Sequence, residues 1–407
     1  MVARAPLQNA LMFRSDPLQL LSGFAGDGKK ISCIDLPPRS RVHLVNDPDL
    51  VAELLLEKSK KLHKHLFPGV PEVFGNGLVN SSGETHKCVR QAVQPAFYRA
   101  RIDSWTEAVR ATIEELLEDS IVEEEIDVKP LFERMTLVLV GQLLFALDLR
   151  AVAGDFFDCV EQMQQLFQQI DGSSVAAAHF AQASQKLDQL LKAVLAEQPR
   201  ARSKGTLFRL LDADASLDEE RTLQEVRNFL MAGSMTTSLL LGTACWLLAA
   251  HPQEQILGTR NDGNSHLHHV VNETLRLYPP VWLLARAAAE PFELDGTTFP
   301  HGSIFLVCPW TLHRADLFFP EPERFVPNRW AETLNLPRGA YIPFSLGTRN
   351  CVGERLGRLV AEQTLAHLLH RFRIVPAERS VAMNLQPRIT LWPSCGIWVK
   401  FFRHHAL

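Results

Sequence analysis

The chain has 407 residues, 46% hydrophobic and 22% charged, the balance of a protein that buries a sizeable core. A net charge of −4 argues against the basic stripe of a nucleic-acid binder. Seven scattered cysteines, with no C-x-x-C pair, form neither a disulfide framework nor a zinc site, so a reducing interior is expected. The N-terminal segment is broken by Arg14, Asp16 and Pro17 before any long apolar run, and the apolar stretches 137–149 and 239–250 are too short to cross a bilayer. A cytoplasmic chain without membrane spans is expected.

Residues 31–45 alternate as two short strands separated by Pro37 and Pro38. The first clear helix opens after Asn46 or Asp47, either of which makes a sound N-cap. Segment 66–78 is rich in Gly and Pro and reads as an irregular loop, its apolar side chains suiting a pocket wall as well as a solvated surface. Residues 86–101 carry a basic cluster that reads first as a wet helix face. Within it, His86 and Arg90 lie four apart on one face, where they could clamp two carboxylates. Helical periodicity runs through 103–198, and no repeat or linker divides the chain. One large helical domain spanning 1–407 is therefore expected.

Ser216 with Glu219, and Thr222 with Glu225, are successive capping boxes ahead of an apolar run that ends before Pro252. They predict a helix of more than about 25 residues through the core. Its middle, 232–238, reads AGSMTTS. These small residues make either a helix-packing notch or a place where another object lies flat, and Thr236 and Thr237 can bond back to earlier carbonyls. His266, His268 and His269 lack a further ligand at metal spacing. Glu273 and Arg276 are three apart on a helix stopped by Pro279 and Pro280, well set for a charge-assisted pair. Residues 281–289 form an extended apolar segment carrying Arg286, and 293–308 hold two turn sequences of hairpin type. The closing stretch 389–401 reads as a further hairpin.

The stretch the rest serves is FSLGTRNCVG, 344–353, followed by a helical pattern with Leu356, Leu359 and Val360. A cysteine at the mouth of a helix sits where backbone N–H groups and the dipole favour a thiolate, and Arg349 adds positive charge. Gly347 and Gly353 permit close backbone approach or unusual dihedrals. No second Cys or His stands at zinc spacing, and no base lies near in sequence for a cysteine nucleophile. A lone thiolate in such a loop suits the proximal ligand of a haem, and a buried structural cysteine is the plain alternative. Phe344, Gly347, Arg349, Cys351 and Gly353 match F-x-x-G-x-R-x-C-x-G, so the chain resembles the cytochromes P450.

The resemblance implies a mainly α fold with small β-sheets, a large helical body with a β-rich side region. It implies haem b, with Cys351 on the iron, and a monooxygenase inserting one atom of O2 into an apolar small molecule in secondary metabolism. By the same resemblance His86, Arg90 and Arg286 meet the haem propionates, Phe344, Gly347, Arg349 and Gly353 belong to the haem-binding loop, and Ala232 and Gly233 form the oxygen groove. Thr236, with Thr237, relays protons, although Met235 replaces the family's acidic residue. Glu273, Arg276 and Arg324 form a structural network. Phe229, Val281, Trp282, Leu283, Leu284, Ile389 and Thr390 face the substrate. No flavin or iron–sulfur motif is present, so electrons come from a ferredoxin and its reductase, docked on Lys87, Arg99, Arg355 and Arg358 of a monomer. A peroxide-using or isomerising haem-thiolate enzyme, and a haem sensor, are the alternatives.

Overall fold

A computed structural model describes residues 6–36, 40–67, 69–118, 120–121, 124–167, 174–212, 218–259, 263–332, 334–379 and 383–404. Pro37, Pro38 and Ser216 lie outside them. The described residues gather into two compact units, each discontinuous in sequence: 1–66 with 273–351, and 67–272 with 352–407.

The first unit is built on a five-stranded sheet of Ile31–Leu36, Ser40–Val45, Ile304–Val307, Leu284–Ala288 and Leu62–Lys64, in that order. All pairs are antiparallel except Ser40–Val45 with Ile304–Val307. Val45, Leu54, Phe292, Phe299, Phe305, Val307 and Ile342 fill its core. Two helices that the sequence reading passed over, Pro6–Ser15 and Pro17–Ala25, precede the sheet, with Asp16 capping the second. Asp47 caps Pro48–Ala52 as expected, accepting from the Asp49 and Leu50 N–H groups. A π-helical turn, Glu53–Glu57, continues that helix. The hairpin Phe292–Leu294 with Thr297–Phe299 turns at Asp295 and Gly296, both at positive φ.

The second unit is helical. The central helix runs over Glu219–Ala250, 32 residues, packed along Val128–Val140. Its cap is Asp218, whose carboxylate accepts from the Arg221 N–H. Thr222 is not a cap: it already lies in the helix and donates back to the Asp218 carbonyl. By length and composition this helix could cross a membrane, yet 78% of its most apolar window is buried within the protein, so it is a core helix.

Segment 66–78 is less irregular than its composition suggests. It contains the helix Val70–Phe74, and its backbone is stitched to the central helix by Leu78 N–H to Glu225, Val79 N–H to Asn228 and the Asn228 amide to the Phe74 carbonyl. The closing stretch is not one hairpin. Leu391–Pro393 pairs with Leu385–Pro387, whereas Trp398–Arg403 joins Phe372–Pro376 and Glu125–Asp127. The break lies at Gly396, φ 76, where a Cβ would stand 2.5 Å from the Asp127 carboxylate that binds the Ile397 N–H.

Candidate active site

In the first unit the cysteine loop is closed by its own backbone. Ser345 N–H donates to the Ile342 carbonyl, Asn350 N–H to Gly347, and Cys351 N–H to Phe344 at 2.9 Å. Ser345 (φ 62) and Gly347 (φ 74) both occupy the left-handed region. A Cβ on Gly347 would meet the Leu55 carbonyl oxygen at 2.1 Å, so only glycine lets the loop lie against the π-helical turn. Gly353, by contrast, has an ordinary φ of −88 as cap of the helix Glu354–Arg371, and the expected dihedral role falls to Gly347 and Ser345 instead. The loop leaves Cys351 exposed just ahead of that helix.

Arg286 and Arg349 meet beside this loop, lining one cleft with Leu62 and Leu346. The sequence reading missed a third cation there. Lys64 is the cross-strand partner of Arg286 in the sheet. Like charges directly opposite on neighbouring strands repel. Burial and the two guanidiniums push the Lys64 ammonium down to about 7. Burial, then Arg349, lowers Arg286 to about 10, and burial lowers Arg349 as well. Three cations whose surroundings disfavour their charge form a seat for anions. With an exposed sulfur on the adjoining loop, the donor set fits a haem with two carboxylates. Val281 to Leu284 precede and enter the strand that carries Arg286; Trp282 is buried and the other three are half-buried.

In the second unit, the central helix is buried from Phe229 to Cys245 except at Ala232, Gly233 and Thr236. Positions i, i+1 and i+4 form one face, so a narrow strip of small side chains stays open on a core helix. Thr236 donates to the Ala232 carbonyl at 2.8 Å. Gly233 also serves packing, since a Cβ there would meet Val140 at 2.9 Å. Thr237 lies off the strip, its hydroxyl toward Gly357 of the helix Glu354–Arg371. Met235 is buried in the core. Phe229 is held by aromatic neighbours, stacked on Phe97 at 5.8 Å and edge-on to Phe145 at 6.4 Å. His86 and Arg90 share a face of Gly83–Val93, both half-buried. Ile389 and Thr390 form a turn bonded to Gln164. His266 and His268 turn to different carboxylates, Glu254 and Glu362.

The structural network takes one residue other than expected. Glu273 and Arg276, both wholly buried, form a two-point pair at 2.8 and 2.9 Å. The remaining Arg276 donors reach the His313, Pro322 and Arg324 carbonyls, and Glu273 also accepts from Val326 N–H, Trp330 and Arg329. Arg324 thus contributes its carbonyl only. Its guanidinium is exposed, paired with Glu321, and Arg329 takes the place assigned to it.

A family model described as Cytochrome P450 matches residues 8–256 and 265–401. Two relatives from Streptomyces melanosporofaciens are similar over most of their length. A cyclooctat-9-en-7-ol 5-monooxygenase is 28% identical, covering 88% of this chain and 85% of its own. A cyclooctatin synthase is 29% identical, covering 90% and 88%. The crystal structure of CYP175A1 from Thermus thermophilus superposes with a TM-score of 0.81 at 26% identity, covering 96% of each chain.

Proposed function

The chain belongs to the cytochrome P450 family and is a monooxygenase of the haem-thiolate kind, and from that premise we propose that it binds haem b and oxidises a largely apolar molecule in secondary metabolism. One observation carries the placement of the cofactor: Lys64, Arg286 and Arg349 collect beside a loop that holds the Cys351 sulfur open. Cys351 holds the iron and the three cations hold the haem carboxylates, a role that family resemblance also gives to His86 and Arg90. When bound, haem supplies dioxygen activation, with one oxygen atom going to substrate and the other to water. The chain's own work is to orient, to exclude water and to move protons. Ala232 and Gly233 keep side chains out of the strip on the central helix. The Thr236 hydroxyl holds a proton there, relayed through water, with Thr237 one residue on.

The half-buried apolar residues at 281, 283 and 284, together with Trp282, Phe229, Ile389 and Thr390, favour an apolar substrate. The names of the two Streptomyces relatives support an unsaturated alcohol such as cyclooctat-9-en-7-ol as the first probe. Interleaving of the two units along the sequence supports reading 1–407 as a single functional domain. The chain acts as a cytoplasmic monomer that takes electrons from a ferredoxin and its reductase. Lys87, Arg99 and Arg355 are exposed and suit an acidic partner, Lys87 and Arg99 being paired only at the surface with Glu84 and Asp103, whereas Arg358 is half-buried against Asn272 and Glu354 and is better left out of the docking set.

The decisive experiment is Cys351→Ala. The wild-type reduced protein gives the carbon monoxide band of thiolate ligation and the variant loses it; an unchanged band sinks the reading. Thr236→Val keeps that band but lowers product formed per electron consumed by about 10-fold or more, within the span of general acid–base effects. Full coupling in the variant removes Thr236 from the relay.

A further inference from the structure

Ile389 and Thr390 enter the pocket by family resemblance, which says nothing of what holds them in place. The structure offers one residue for that purpose. Gln164, on Ala153–Phe167, has 0% exposure. A buried amide is costly unless both its ends are bonded. Its Oε1 accepts from the Ile389 N–H at 3.3 Å, and its Nε2 donates to the Thr390 hydroxyl at 3.2 Å. A backbone N–H can only donate, so the oxygen end must face it and the amide has one orientation.

The turn is also tied within its own segment, the Arg388 guanidinium donating to the Gln386 side-chain carbonyl at 2.6 Å. Arg388 N–H donates to the Thr390 carbonyl at 2.9 Å, closing it from within. The flanking strands, Leu385–Pro387 and Leu391–Pro393, meet over three residue pairs, a ladder too short to define position by itself. A second tie stands nearby. Glu161, three residues before Gln164, shares the Lys129 ammonium with Glu133 at 3.1 Å each, and that ammonium lies 4.2 Å over the Trp392 ring. The face of Ala153–Phe167 bearing Glu161 and Gln164 thus holds the 388–392 segment at two points.

We propose that Gln164 is a positioning residue for substrate selection. It fixes the 388–390 turn as one wall of the pocket, so the fit of a bulky ligand depends on an amide that makes no contact with the ligand itself. This rests on the reading of Ile389 and Thr390 as pocket residues.

The test uses the haem-loaded full chain as Q164L and T390V, with Q162L, on an exposed position of the same helix, as control. Hydrogen exchange of 385–393 reports the clamp without reference to activity. Spectral titration with imidazole, which needs only the iron, and with 4-phenylimidazole, which also fills the pocket, reports the wall. In Q164L, exchange at 388–391 rises by about 10-fold, and 4-phenylimidazole weakens about 5–10-fold while imidazole stays within about 2-fold. T390V, which keeps the Ile389 bond, shows the same pattern at about 2–3-fold and serves if Q164L fails to fold. Unchanged exchange in both variants overturns the clamp. Faster exchange with an unchanged ratio of the two azoles overturns the placing of 389–390 in the pocket and leaves Cys351 ligation untouched. Equal weakening of both azoles overturns the selective role.

Discussion

The first unit contains two groups of charge, one buried and one partly buried, that obey opposite rules. Between Glu273 and Arg276 every guanidinium donor of Arg276 finds an acceptor inside the protein, two of them on Glu273 itself. Around Lys64, Arg286 and Arg349 cation faces cation, and the surroundings lower the tendency of each to stay charged. A cluster whose charges are paired within it holds a fold together. A cluster of one sign costs stability and favours an anion beside it, which is how charge placed for a ligand differs from charge used as scaffolding.

The contrast can be broken first at its strongest point. Arg276→Ala leaves the Glu273 carboxylate buried against Val326, Trp330 and Arg329 without its main partner, and should cost about 3–5 kcal/mol in urea unfolding, enough to lower the yield of folded protein. Arg329→Ala should cost about 2–3 kcal/mol, the range for a hydrogen bond to a buried charge. Lys64→Met should act with the opposite sign: the apoprotein melts about 1–3 °C higher at pH 7, while haem is released several-fold faster to an apo-globin trap. A melting point that falls would make Lys64 part of the scaffold.

The same lysine sets a pH dependence. Its folded value, about 7, lies below the ordinary lysine value of about 10.4, so between those limits the unfolded chain binds more protons than the folded one. Apoprotein stability should therefore rise with pH from about 7 towards 10, and Lys64→Met should flatten that slope. Smallest of all, Arg324→Ala should leave the melting temperature unchanged, since its exposed guanidinium meets only Glu321.

Much of the site was legible because its signals are local. The cysteine loop lies within ten residues, Glu273 and Arg276 within one helical turn, and the open strip on the central helix within five positions. Lys64 was not legible. It follows Lys58, Lys60 and Lys61 closely in sequence and gains meaning only when strand pairing places it opposite Arg286, more than two hundred residues away. Arg324 and Arg329 stand five apart in one loop, and nothing local says which guanidinium turns inward. The cap at Asp218 was hidden by a richer-looking box around it, and the closing hairpin by Asp127, whose hold on Ile397 sends the last strand to another sheet. Gln164 stands within the helical periodicity of 103–198 among other glutamines, and only its two distant partners, Ile389 and Thr390, set it apart.

The parallel pairing of Ser40–Val45 with Ile304–Val307 carries a consequence for synthesis. The early strand leaves the ribosome while its partner still waits behind the whole of 67–272. Until that partner arrives the nascent chain bears an open sheet edge, a template for unwanted association. Slowing translation across 67–272 should therefore lower soluble yield, whereas slowing it after residue 351 should not.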